Sequence, residues 1–275
     1  MATREMNIKI WGFIGILVIA AWLLGSVTDA MALKGEEVIY KANDVELKGY
    51  MVYDDAVVGK RPGVLVVHDY WGTGEFVRDR ARELAKLGYA ALAVDMYGEA
   101  KEATNPDEAR KLAGEVRGNP PMMKARFDAA RAVLSKHPSV DSKRIAAIGY
   151  SLGGSIVLEM ARQGSDLAGV VVFWGGLKTE RPAQKGMVKA RVLVLTGTDD
   201  PGVPAEDVKK FKAEMDAAGA NYKVIAYPKA KHAFSRPNAD SLATKFNLPA
   251  LAYNADADQK SWAEMEAVFN MLFRK

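Results

Sequence analysis

From residue 63 to the C-terminus, short apolar runs alternate with segments whose apolar residues recur at helical spacing. The runs, such as residues 63–67 (GVLVV), are continuously apolar, which is typical of strands buried on both faces of a parallel sheet. The segments between them have the periodicity of amphipathic helices. This alternation predicts an α/β domain with a mostly parallel central sheet and helices on both faces.

The sequence predicts eight strands and six helices, of which the first two strands precede this alternation and are indicated by partly alternating polar and apolar residues. The strands are expected at residues 37–41, 46–53, 63–67, 89–94, 144–149, 168–173, 190–195 and 222–227. The helices are expected at residues 76–87, 106–117, 122–136, 152–163, 204–218 and 258–273. In sheets of this kind, ligands bind outside the C-terminal ends of the strands, so the residues that follow each strand are the candidates for function.

The N-terminal segment has a composition of its own. Arg4 and Lys9 precede an apolar run at residues 10–27, and Ala30-Met31-Ala32 follows it. This order is typical of a secretory signal peptide, so residues 1–32 are predicted to be removed and residues 33–275 to form a single domain. We then expect a periplasmic or secreted protein. The run of 18 residues also reaches the lower limit for a membrane span, so an uncleaved anchor is the alternative. N-terminal sequencing of the mature protein distinguishes the two.

Composition excludes several classes of function. The chain has 38 basic and 34 acidic residues, interspersed, and this mixed charge argues against a nucleic-acid partner. It has no cysteine, which excludes disulfides, thiolate metal sites and a cysteine nucleophile. The three histidines, His68, His137 and His232, lack metal-ligand spacing, so no metal site is expected.

Glycines flank a serine where a predicted strand turns into a predicted helix. The run Gly149-x-Ser151-x-Gly153 follows strand 144–149 and begins helix 152–163. Such a strained turn presents a serine hydroxyl as a nucleophile, and glycines are required because the turn is crowded. Glycine and serine also occur in ordinary turns, but the strand before and the helix after favour the nucleophile.

A serine nucleophile requires a base and an acid that orients the base. His232 follows the last predicted strand and is the candidate base, whereas His137 lies at a helix end. Asp199 and Asp200 both follow strand 190–195, and Asp200 is the preferred acid because it directly precedes the turn into the next helix. The backbone N–H groups of Leu152 and Tyr70 are the expected oxyanion donors.

The order nucleophile, acid, base is that of the α/β-hydrolase fold. Five motifs also make the chain resemble the dienelactone hydrolases over nearly all of residues 33–275: HDYWG at 68–72, DMY at 95–97, GYSLGG at 149–154, DPGVP at 200–204 and HAFSR at 232–236. The resemblance implies hydrolysis of a small ester or lactone through an acyl-enzyme, without a metal or organic cofactor. The implied partner is then the small-molecule substrate alone, with a membrane involved only if the N-terminal segment is retained.

The chain departs from that family at two places. Founding members carry cysteine where Ser151 stands, and an acidic residue at the position of Asp69 takes part in activating the thiol. They hold the substrate carboxylate with two arginines, of which Arg236 matches one, whereas the other position falls near Glu99. The missing second arginine favours a neutral ester or lactone as the substrate. Arg236 itself could equally be a substrate-binding residue or an ordinary surface charge.

Aromatic residues cluster in the strand-end loops. Trp71, Tyr97, Trp174 and Phe234 are expected either to line an apolar substrate pocket or to cap the core. Two functions are alternatives to ester or lactone hydrolysis. One is a non-catalytic binding protein that keeps the fold, and the other is an acyltransferase that uses the same acyl-enzyme.

Overall fold

The computed structural model describes residues 33–273, and the predicted signal peptide at residues 1–32 lies outside them. The strands within the described residues are β1 Leu33–Ala42, β2 Val45–Asp54, β3 Arg61–Val67, β4 Ala90–Val94, β5 Val140–Tyr150, β6 Gly169–Phe173, β7 Arg191–Gly197 and β8 Tyr222–Tyr227. The helices are α1 Glu75–Lys86, α2 Pro106–Arg117, α3 Pro120–Lys136, α4 Leu152–Arg162, α5 Ala205–Ala218, α6 Ala239–Phe246 and α7 Ala255–Phe273.

All eight of these strands belong to one sheet, in the order β1-β2-β4-β3-β5-β6-β7-β8. The first two strands form an antiparallel hairpin, and β2 also pairs antiparallel with β4. Every pairing from β4 through β8 is parallel. The C-terminal ends of β3 to β8 therefore meet at one edge, where the predicted functional residues follow them.

Helices cover both faces of the sheet. Buried residues of α1 and α7, such as Leu84 and Phe269, pack on one face. Buried residues of α3, α4 and α5 pack on the other: Phe127, Ile156 and Phe211. The continuous apolar runs are explained by this arrangement, because a central strand buries side chains on both faces. The predicted α/β fold is confirmed.

One helix is not among the predicted elements. Helix α6 lies between β8 and α7, and among its residues only Ala239 is buried. Helix α6 has only eight residues, about two turns, which is shorter than the window of about 11–18 residues over which a helical period is recognised. Strand β5 also begins at Val140, before the predicted start at residue 144. Within residues 33–273, none of the helices combines the length and apolar character needed to cross a bilayer.

Candidate active site

Ser151 lies in the turn between β5 and α4, at the C-terminal edge of the sheet. Its backbone has φ 49° and ψ −109°, a strained conformation for a residue with a side chain. The Ser151 N–H donates to the Phe173 carbonyl at 3.0 Å, and the Ser151 carbonyl accepts from the Ser155 N–H at 3.0 Å. These bonds to β6 and α4 hold the turn, which is the strand–turn–helix setting that the sequence predicts.

Two glycines permit the close packing of this turn. A Cβ atom on Gly149 would lie 2.2 Å from the carbonyl carbon of Gly153. A Cβ atom on Gly153 would lie 2.2 Å from the carbonyl oxygen of Val67, at the end of β3. The start of α4 can therefore approach β3 only because position 153 has no side chain.

Replacing Gly153 with alanine is expected to lower the free energy of unfolding by about 1–3 kcal/mol, because the added methyl group meets backbone atoms that cannot rotate away. Urea unfolding at equilibrium measures the change. Gly114→Ala in α2 is the matched control, since nothing lies within 4 Å of its Cβ position. It should stabilise the protein by about 0.5–1 kcal/mol. Equal effects of both substitutions would contradict the packing argument.

His232 follows β8 in a loop that is paired to the segment after α6. The His232 N–H donates to the Ala250 carbonyl, and its own carbonyl accepts from the Ala252 N–H, each at 3.1 Å. These bonds form a parallel bridge with Leu251. The His232 Nε2 atom lies 2.9 Å from the Ser151 hydroxyl oxygen.

The structure places Asp200, rather than Asp199, against the histidine. The Oδ2 atom of Asp200 lies 2.9 Å from His232 Nδ1, and its Oδ1 atom accepts from the Gly202 N–H at 2.7 Å. Asp200 is buried, whereas Asp199 is exposed and accepts from the Thr198 hydroxyl. The side chains of Ser151, His232 and Asp200 thus form one chain of contacts.

Tyr70 and Leu152 carry the backbone N–H groups that the sequence predicts as oxyanion donors. Tyr70 and Leu152 line the same cavity as Ser151 and His232. Among the described residues, neither N–H group donates a hydrogen bond. Leu152 is the first residue of α4, where backbone N–H groups have no helical partner and the helix dipole favours negative charge. The Tyr70 carbonyl accepts from the Tyr97 hydroxyl at 2.9 Å, which holds the loop after β3.

The cavity beside Ser151 has a volume of about 700 Å³, within the range of pockets for drug-sized ligands. Its walls come from α4, from the start of α3, and from residues 176–181 and 248–251. These walls are not predicted by the sequence. The apolar spacing of α4 indicated a helix, but nothing indicated which of its residues face a cavity.

Asp69, Trp71 and Arg236 do not line this cavity. The guanidinium group of Arg236 donates to Asp69 at 2.6 Å and lies 4.7 Å from the centre of the Phe76 ring. The other carboxylate oxygen of Asp69 accepts from the Trp71 N–H at 2.9 Å. Both charges of this pair are therefore engaged within the protein, in the loops after β3 and β8. The structure supports a bracing role for these residues and gives Arg236 no contact with the cavity.

The other strand-end aromatic residues also lie outside the cavity lining. Tyr97, Trp174 and Phe234 are buried, which matches the expectation that they cap the core. Trp174 packs edge-on against the His232 ring, with 5.1 Å between ring centres. Its indole N–H donates to the Ser235 hydroxyl at 2.7 Å. Trp174 therefore helps to hold the loop that carries His232.

The two remaining histidines do not approach Ser151. His68 is fully buried, and burial lowers its pKa, so its ring is neutral. Its Nε2 atom accepts from the Met96 N–H at 3.2 Å, which leaves the proton on Nδ1 to donate to the Asp69 carbonyl at 2.5 Å. His137 lies 3.7 Å from Glu36, and burial lowers its pKa. Across residues 33–273, no group of three or more His, Asp or Glu side chains is arranged to hold a metal ion.

Comparison with known proteins places this geometry in a family. Residues 47–273 match the model of the dienelactone hydrolase family. A Yersinia pestis protein assigned as a carboxymethylenebutenolidase is 32% identical over 243 residues, which are 84% of this chain and 85% of the relative.

Two crystal structures show the same fold. One is a dienelactone hydrolase-like promiscuous phosphotriesterase from metagenomic libraries, with 34% identity, a TM-score of 0.83 and coverage of 88% of this chain and 99% of the other. The second, from Klebsiella pneumoniae and assigned as a dienelactone hydrolase, has 26% identity, a TM-score of 0.71 and coverage of 86% and 98%. The chain therefore belongs to the dienelactone hydrolase family, a family of ester and lactone hydrolases with the α/β-hydrolase fold.

Proposed function

We propose that this protein cleaves a carboxylic ester or lactone through an acyl-enzyme on Ser151. The observation that carries the proposal is the chain of two contacts, each of 2.9 Å, from Ser151 Oγ through His232 to Asp200. This chain opens on the cavity of about 700 Å³. A nucleophile, a base and an acid in series are the arrangement that activates a serine.

Acylation begins when Ser151 Oγ attacks the substrate carbonyl carbon. The hydroxyl proton passes to His232 Nε2, which lies in hydrogen-bond range. Buried Asp200 accepts from Nδ1–H, so the ring keeps the tautomer in which Nε2 is free to take the proton. The tetrahedral intermediate then collapses, and the leaving alkoxide takes the proton from Nε2.

The oxyanion is stabilised by backbone N–H groups in this proposal. Leu152 and Tyr70 supply donors that have no other acceptor among the described residues, and both line the cavity. Preorganised donors of this kind stabilise the developing charge without reorganisation, and losing one typically costs about 10²–10³ in rate. Deacylation repeats the cycle, with His232 removing a proton from the attacking water.

Founding members of the family hold a substrate carboxylate with two arginines. We propose that the substrate of this protein has no carboxylate at that position. Arg236 is paired with Asp69 and does not line the cavity. Glu99, near the other expected arginine position, is exposed and lies 3.7 Å from Lys101. The relatives described above bear the names of hydrolases, which supports ester-bond cleavage without specifying the ester.

A fluorophosphonate probe tests the nucleophile directly. We expect the wild-type protein to be labelled once, on the peptide that contains Ser151, and Ser151→Ala to remain unlabelled by intact-mass measurement. Ser142→Ala is the control, because Ser142 is exposed at the other end of β5, and it should be labelled as the wild type is. Labelling that persists in Ser151→Ala would refute the assignment.

The probe, together with two activity assays, distinguishes the proposed hydrolase from a binding protein and from an acyltransferase. A protein that neither reacts with the probe nor hydrolyses p-nitrophenyl acetate would be a non-catalytic binding protein with this fold. Transfer of the acyl group to added alcohols in preference to water, detected as new ester products, would indicate an acyltransferase.

A further inference from the structure

The cavity beside Ser151 is elongated along α4. Its lining takes Leu152, Ser155, Ile156, Glu159 and Gln163 from this helix and its C-terminal end, a spacing that places all five on one helical face. At a rise of about 1.5 Å per residue, the eleven steps from Leu152 to Gln163 cover about 16 Å. The cavity is thus a groove that begins at the serine and runs the length of α4. We call it the α4 groove.

Residues 176–181 form another wall of the α4 groove. The Gly176 carbonyl accepts from the Ser155 hydroxyl at 3.0 Å, about one turn from Ser151. The Leu177 carbonyl accepts from the Arg162 guanidinium at 2.7 Å, near the other end of the helix. These contacts tie Gly176 and Leu177, at the start of the segment, to α4, so this wall belongs to the folded structure.

The two ends of the α4 groove differ in polarity. Next to Ser151 the lining is apolar, with Leu152 and Ile156 from α4 and Leu251 from the segment bridged to His232. Further along the helix the lining is polar and of mixed charge, with Glu159 and Gln163. Glu159 is paired with Arg162 at 2.7 Å, so no single charge dominates that end.

We propose that the apolar end of the α4 groove binds an extended hydrocarbon chain of the ester, and that the substrates are therefore medium-chain esters rather than compact lactones alone. This inference rests on the acyl-enzyme function proposed above. A compact lactone would fill only a small part of about 700 Å³. A chain that leaves the reacting carbonyl along Leu152 and Ile156 removes apolar surface from water on both sides.

Two series of esters test the inference and identify which side of the ester carries the chain. The acyl arm is p-nitrophenyl acetate, butyrate, hexanoate, octanoate and decanoate, and the alcohol arm is ethyl, butyl, hexyl and octyl acetate. Because each buried methylene contributes up to about fourfold, we expect kcat/KM to rise at least about tenfold between acetate and hexanoate in the acyl arm, or between ethyl and hexyl acetate in the alcohol arm. A rise in either arm supports the α4 groove, and flat profiles in both arms refute it.

Gly176→Leu blocks the groove at a known level. Within 4 Å of a Cβ atom at Gly176 only the Ser155 hydroxyl is found, at 3.3 Å, so a leucine side chain there extends into the groove. We expect the hexanoate-to-acetate ratio of kcat/KM, or its counterpart in the alcohol arm, to fall from about ten to about one. Gly114→Leu makes the same change on the exposed side of α2, with nothing within 4 Å, and should keep the wild-type ratio.

The outcomes distinguish the two proposals. If the fluorophosphonate labels Ser151 and acetate esters are hydrolysed, but Gly176→Leu keeps the wild-type ratio, the groove inference fails and the acyl-enzyme function stands. If no probe labels Ser151 and no ester is hydrolysed, both fail together. Circular dichroism and urea unfolding confirm that Gly176→Leu is folded; if it is not, the two wild-type series decide alone.

Discussion

Replacing Ser151 or His232 alone with alanine is expected to lower kcat for ester hydrolysis by about six orders of magnitude, and replacing both should lower it little further. The reason is the 2.9 Å contact between Ser151 Oγ and His232 Nε2, through which the two side chains act as one unit in the proposed mechanism. Without the base the serine is a weak nucleophile, and without the serine the base has no proton to remove. Kinetics of the two single variants and the double variant measure the effect.

The double variant makes the prediction specific. Two groups that act independently would give losses that multiply, so that the double variant would be far slower than either single one. Losses in kcat that multiply in the double variant would contradict the joint action of Ser151 and His232. A single variant that keeps more than about one part in a hundred of the wild-type kcat would contradict it as well. The residual rate should come from binding and from the oxyanion donors at Tyr70 and Leu152.

The fold was predictable from the sequence because parallel strands buried on both faces are continuously apolar. That pattern predicts the strands from β3 to β8, partial alternation of polar and apolar residues predicts β1 and β2, and helical spacing predicts six of the seven helices of the described residues. The missed helix, α6, has only eight residues. Helical periodicity is recognised over windows of about 11–18 residues, so an element of two turns is too short to show it clearly.

The residues of the contact chain were predictable for a different reason. Ser151, Asp200 and His232 each follow a parallel strand, and such strands bring their C-terminal ends to one edge. The preference for Asp200 over Asp199 rested on its place before the turn into α5, and the structure puts its carboxylate, not that of Asp199, beside His232.

The cavity could not be predicted in the same way. Its walls come from the outer face of α4 and from two loops, at residues 176–181 and 248–251, whose paths depend on tertiary contacts. The ion pair of Arg236 could not be predicted from the sequence either. Its partner Asp69 is 167 residues away in the sequence, so the ion pair that occupies its charge has no local signal.

Asp200→Asn is expected to lower kcat by about four orders of magnitude while leaving the fold intact. The Asp200 carboxylate accepts from His232 Nδ1–H and from the Gly202 N–H, and it is buried away from water. An asparagine of the same shape presents an amide N–H₂ that can donate to Nδ1, which would leave the proton on Nε2. The ring would then have the wrong tautomer to take a proton from Ser151.

Asp199→Asn is the matched control for this prediction. Asp199 is the adjacent residue with the same side chain, but it is exposed and contacts Thr198 rather than His232. Its substitution should change kcat by less than about threefold, since surface changes away from the site have small effects. A larger loss in Asp199→Asn than in Asp200→Asn would transfer the orienting role to Asp199. Comparable losses in both would mean that the charge of the loop, and not the contact with Nδ1, supports the histidine.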